Sequence, residues 1–157
     1  MSLNTPILFI IFNRPETTRQ VFSKIRVVKP RKLYVAADGP RSTHPEDLDK
    51  CESTRALIEQ VDWDCQVEKL YRENNLGCKQ AVSQAINWFF EKEEMGIILE
   101  DDCLPSPSFF LYCEKLLIKY KDDENIFSIN GCNLGYNGPS DASYSFTLVS
   151  NSHLTLP

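Results

Sequence analysis

A chain of 157 residues, 42% hydrophobic and 25% charged, is long enough to bury one core of its own. A net charge of −5 at pH 7 argues against a nucleic-acid binder, which would present a basic surface. No run of about 18 apolar residues is present to serve as a membrane span.

The segment PILFIIF (6–12) is a continuous apolar run closed by Asn13-Arg14-Pro15, which predicts a strand buried on both faces and then a turn. PETTRQVFSKIRVV (15–28) predicts a helix: Pro15 suits its first position, Glu16 its first turn, and Val21, Ile25 and Val28 recur at helical spacing. KLYVAADGP (32–40) predicts a strand ending on a turn. Residues 44–61 predict a helix with Leu48, Cys51, Arg55 and Ile58 inward, and 64–73 a less apolar strand nearer a sheet edge. NLGCKQAVSQAINWFFEKEE (75–94) carries a broad apolar stripe that includes Cys78, Ala81, Ala85, Phe89 and Phe90. GIILEDD (96–102) predicts a fourth strand, and SPSFFLYCEKLLIKYKDD (106–123) a helix that Ser106 can cap and Pro107 can open. A fifth strand is expected over 126–133, a loop over 135–143 and a sixth strand over 144–150.

The six cysteines show no CxxC pair, so free thiols in a reducing cytosol are expected, with Cys78 and Cys113 on apolar helix faces. MSLNTPILFIIFNRP lacks the basic and small-residue features of a secretion signal. The two histidines lie far apart in loop-like stretches, which gives a histidine triad little support.

Alternating strands and helices predict a three-layer α/β/α domain around a mostly parallel, Rossmann-like sheet. In such sheets ligands bind beyond the carboxyl ends of the strands. Those ends here read Asn13-Arg14, Asp38-Gly39, Arg72 to Asn75, and Glu100-Asp101-Asp102. The three consecutive acids suit a hard divalent ion that also binds phosphate oxygens, with Glu100 and Asp102 on one side and Asp101 on the other; a solvated acidic turn is the structural alternative. Asp38 either meets the imide of a uracil ring or serves a chain reversal. Arg72, Asn75 and Gly77 lead into a helix whose N-terminus favours anions, though Asn75 as a plain cap and Lys79 as a surface charge account for that stretch as well. Arg14 suits a diphosphate or base contact, or a surface position held extended by Pro15. There is no GxxxxGK[ST], no GxGxxG after the first strand and no GxSxG, which disfavours P-loop, dinucleotide-binding and α/β-hydrolase sites.

Taken together, PILFIIFNRPETTRQVF, VAADGPR, RENNLGCKQAVSQAINWFF and GIILEDDCLPSPSFF resemble the GT-A glycosyltransferases, more narrowly the bacterial nucleotide-diphospho-sugar transferases of N-acetylglucosaminyltransferase I-like pattern, over roughly residues 6–133. The resemblance implies a nucleotide-diphospho-sugar transferase fold and a DxD-like element after the fourth strand. It implies that Asp102 binds Mn²⁺ or Mg²⁺ and that Glu100 and Asp101 contact the donor. It matches Asp38, with Gly39 beside it, to the acid that reads the base. Asn13 and Arg14 fall in the loop beside the nucleotide, and Arg72, Asn75 and Gly77 in the segment near the donor. The implied activity is metal-dependent transfer from a nucleotide-diphosphate donor, a UDP-sugar, to a glycan, lipid-linked or protein acceptor in cytoplasmic synthesis of surface polysaccharide or glycoconjugate.

Members of that family continue with an acceptor-binding part and, in inverting enzymes, a base. Residues 1–157 are therefore expected to be a single donor-binding domain lacking that C-terminal part, weak or inactive alone, with an exposed sheet edge that favours homo-oligomers. A sugar nucleotidyltransferase would need a glycine-rich loop where FNRPETTRQ has no glycine. A non-catalytic nucleotide-binding or interaction module is the other alternative. A response-regulator-like fold would place its acids after the first strand, which here ends in Asn13-Arg14.

Overall fold

The computed structural model describes residues 2–131. Four strands, β1 (Ile7–Ile11), β2 (Lys32–Ala37), β3 (Gln66–Tyr71) and β4 (Ile97–Glu100), form one parallel sheet in the order β3-β2-β1-β4. Between and after them run α1 (Pro15–Val28), α2 (Asp47–Ala56), α3 (Cys78–Phe90) and α4 (Pro107–Tyr120).

β1 and β2 are central and buried almost throughout, as continuous apolar runs require when helices cover both faces. Ile7, Phe9, Ile11, Val35 and Leu99 share one face with Val21, Phe22 and Ile25 of α1, Ile58, and Phe110 and Cys113 of α4. Leu8, Tyr34 and Ala36 share the other with Ala85, Ile86 and Phe89 of α3. The chain steps outward from β1 to β3 with α1 and α2 on one face, then returns past β1 to β4 with α3 on the opposite face. Opposite faces for opposite directions are what a single crossover hand demands. The result is the three-layer, Rossmann-like α/β fold expected from the sequence.

Pro15 opens α1, and Thr18, Val21, Phe22, Ile25 and Val28 bury one stripe of it. Lys29 ends it in the left-handed region, at φ 47°, donating its N–H to the Ile25 carbonyl at 3.0 Å. The helix expected over 44–61 is shorter: His44 precedes a proline, residues 42–46 form turns, and Leu57–Gln60 tighten into a 3₁₀ turn. Leu48 is 53% exposed rather than inward, whereas Cys51 and Ile58 are buried. β3 lies at a sheet edge, as its polar sequence suggests.

Ser106 occupies the N-cap position of α4, but its hydroxyl pairs with the Ser108 hydroxyl at 2.8 Å instead of capping the backbone. Phe90 is exposed at the end of α3, outside the stripe expected to hold it. Residues 126–131 form no strand: they pair with no neighbour, and Phe127 is 85% exposed. The remainder of that expected strand, the loop over 135–143 and the strand over 144–150 lie outside the described residues. Cys51, Cys65, Cys78, Cys103 and Cys113 are all free thiols. Among the described residues no helix is long and apolar enough to cross a membrane.

Candidate functional site at the carboxyl edge of the sheet

β1 is the strand at which the order reverses: β2 follows on one side, β4 on the other. Register pairs Ile10 with Ala36 and with Glu100, so one row of side chains crosses the sheet on the α3 face just below its carboxyl edge. Above this row opens a cleft of about 290 Å³, floored by Ile10 and Ala36 and walled by Ala81 and Val82 of α3. Arg14, Asp38, Arg72, Asn75, Gly77, Glu100, Asp101 and Asp102 all line it, which brings together eight of the ten site residues expected from the sequence.

The other two, Asn13 and Gly39, serve the walls. The Asn13 amide donates to Asp47 Oδ1 at 2.7 Å. A Cβ on Gly39 would stand 2.4 Å from the Asn74 carbonyl carbon, so only glycine lets the β2 loop and the α3 entry loop approach this closely.

Asp38 is buried at the end of β2, and its carboxylate is filled by protein donors. Oδ1 accepts the N–H groups of Gly39 and Leu76, each at 3.0 Å, while Oδ2 accepts Gly77 N–H at 3.1 Å and the Asn75 amide at 3.0 Å. Asn75 also donates to the Gly39 carbonyl at 2.8 Å. Asn75 is therefore a bridge rather than a cap. The N-cap of α3 is Gly77, at φ 79° and ψ 155°, a region that essentially only glycine occupies, and no side chain caps the helix there. The N-terminus of α3 thus lies at the cleft with no side-chain cap, a position that favours an anion.

The three acids divide as strand alternation requires, although the strand itself stops at Glu100. Glu100 and Asp102 are exposed, whereas Asp101 turns inward and accepts Phe12 N–H at 3.2 Å. Burial pushes the Asp101 carboxyl up, opposed by Arg14 and the Phe12 N–H. Arg14 Nη1 donates to Asp102 Oδ2 at 2.7 Å and to Asp101 Oδ1 at 3.4 Å. The hydrogen bond to Asp102, then the charge of Asp101, raise the Arg14 guanidinium above its ordinary value. Arg72 donates its backbone N–H to the Ala37 carbonyl at 3.0 Å and its guanidinium to Gln84 at 3.4 Å.

Three supporting residues carry no recognisable motif. Arg55 donates from one nitrogen to the Asp38 carbonyl at 3.0 Å and the Arg72 carbonyl at 2.7 Å, tying the ends of β2 and β3 together. Arg41 lines the cleft and grips buried Asp47 through Nε at 2.6 Å and Nη2 at 3.1 Å. Arg41, ahead of Asn13, holds the Asp47 carboxyl well below the usual carboxylate range. Cys78, expected to act as a small hydrophobe, is exposed at the cleft wall because the helix begins at that residue.

Among the described residues no three histidine, cysteine or acidic side chains gather into a metal site. The hard oxygens of Glu100 and Asp102 nevertheless fit a cation that takes one or two carboxylates and completes its shell from ligand phosphates and water. No family model and no curated protein matches this chain.

Proposed function

We propose that the cleft binds the diphosphate and nucleoside of a nucleotide-sugar donor, and that the chain is the donor-binding domain of a metal-dependent GT-A glycosyltransferase. The observation that carries this reading is the meeting of exposed carboxylates, arginines and an uncapped helix N-terminus in one cleft at the strand-order reversal. A diphosphate carries charge that an acidic chain holds only through such oriented donors and a counterion.

Asp102, with Glu100, is the residue to hold a divalent ion, which when bound supplies Lewis-acid neutralisation of the diphosphate leaving group. Arg14 and Arg72 offer guanidinium donors to the phosphates, and the first-turn amides of α3 add their partial positive charge. Ile10, Ala36 and Val82 form the apolar surface on which a nucleoside rests. The buried carboxylates of the cleft, Asp38 and Asp101, both accept protein N–H groups, so neither is assigned as a base.

Isothermal titration of UDP with and without Mn²⁺, on the wild type and Asp102→Ala, tests the reading. The expected outcome is Mn²⁺-dependent binding that falls about tenfold or more in the variant, the loss of one charge-assisted contact. Equal binding by both proteins contradicts the role of Asp102, and no binding by the wild type contradicts the donor site.

A further inference from the structure

We infer that Arg14 is a resident counter-cation for Asp102, holding the carboxylate until a diphosphate arrives to receive the guanidinium and so releasing it to a divalent cation. This inference rests on the donor-site reading above.

The two ends of Arg14 are held very differently. Its backbone is fixed at the start of α1, where its carbonyl accepts Thr18 N–H at 3.0 Å and the Thr17 hydroxyl at 3.3 Å. Its side chain is 55% exposed and is engaged through Nη1, on Asp102 at 2.7 Å and Asp101 at 3.4 Å. Nε and Nη2 have no hydrogen-bond partner among the described residues, which leaves donors for a second acceptor.

The two carboxylates differ as well. Asp101 is buried and fastened to the Phe12 N–H, whereas the Asp102 side chain is 51% exposed and, among the described residues, takes its other hydrogen bond from the Cys103 thiol, at 3.7 Å. Asp102 is therefore the acid whose partner can change. Arg14 holds Asp102 Oδ2, and a divalent ion on either oxygen of that carboxylate would stand close enough to the guanidinium to bring two like charges together. Arg14 and the ion thus compete for Asp102 until an anion draws the guanidinium away. Diphosphate groups suit that transfer, because a guanidinium binds them in a bidentate fork. The other cleft arginines are not placed for this exchange: Arg41 is locked on buried Asp47, and Arg72 reaches Gln84.

The consequence is reciprocal coupling: Mn²⁺ tightens UDP, UDP tightens Mn²⁺, and each depends on Arg14. The test titrates Mn²⁺ alone into the full chain, following free Mn²⁺ by electron paramagnetic resonance, for the wild type, Arg14→Gln and Arg14→Lys. UDP is then titrated at fixed Mn²⁺. The inference predicts that Arg14→Gln binds Mn²⁺ alone about fivefold tighter, the upper range for a partly exposed pair, and loses most of the mutual enhancement with UDP. Arg14→Lys, with its charge retained, stays near the wild type in Mn²⁺ affinity. Circular dichroism confirms that each variant is folded. If the wild type binds UDP with Mn²⁺ but Arg14→Gln gains no Mn²⁺ affinity, the exchange is overturned and the donor site stands. If the wild type shows no Mn²⁺-dependent UDP binding, both are overturned.

Discussion

The Asp38 carboxylate accepts the N–H groups of Gly39, Leu76 and Gly77 and the Asn75 amide, so it latches the end of β2 to the entry of α3. Asp38→Ala strands those donors, and the expected cost is about 2–3 kcal/mol of stability, read as a lower urea midpoint at unchanged slope. Were Asp38 only a base-reading acid, the same variant would stay within about 0.5 kcal/mol of the wild type. The residue was legible as a candidate because it ends a buried strand at the predicted functional edge, although Asp-Gly-Pro equally suits a chain reversal. Its role was not legible, since its partners lie up to 39 positions away and only the crossover of α3 brings them back. Arg41 and Asp47 were not legible for the same reason, and Arg55 only as an inward helix residue: no spacing in the chain announces that a loop arginine grips a helix aspartate or that an arginine ties two strand ends. The exposure of Cys78 follows from a helix that starts at that residue, three later than the expected start at Asn75.

At the scale of the element, the loop between β2 and α2 is pinned by the buried Asp47 carboxylate, on which Arg41 and Asn13 converge. Arg41 first, then Asn13, lower the carboxyl below its ordinary value against the cost of burial. A depressed folded-state value means that the stabilisation is complete above the unfolded-state pKa of about 3.9 and is lost as pH falls through the folded-state value. The wild type is therefore expected to lose stability on acidification from about pH 4 downward. Asp47→Asn should start less stable at about pH 6 and lose less between about pH 5 and pH 2.5, which urea midpoints across that range measure. Parallel profiles for the two proteins would remove Asp47 from the account. Strands and helices with unbroken apolar patterns, β1, α1 and β4 among them, were legible to within a residue or two. The start of α2 was displaced by Pro45, and residues 126–131, the described part of the strand expected at 126–133, lack a neighbour to pair with, a tertiary condition that their apolar side chains do not encode.

The whole molecule places its chemistry by topology. Alternation of strands and helices was enough to predict a parallel sheet and a functional carboxyl edge, but not the order β3-β2-β1-β4, nor that α3 alone among the described helices lies on the cleft face. Those two facts convert four separated strand ends into one cleft: the reversal at β1 brings Arg14 against the acids of β4, and α3 carries Gly77 and Cys78 to the same rim. In the proposed function this cleft is where a nucleoside diphosphate sits. The most direct measurement is a ¹H–¹⁵N nuclear magnetic resonance titration with UDP and Mg²⁺, following every assigned amide. The largest shifts are expected on Phe12, Leu76 to Cys78 and Glu100 to Asp102, with the distant end of α1 unmoved. Shifts absent at millimolar UDP, or centred away from the carboxyl edge of the sheet, would contradict it.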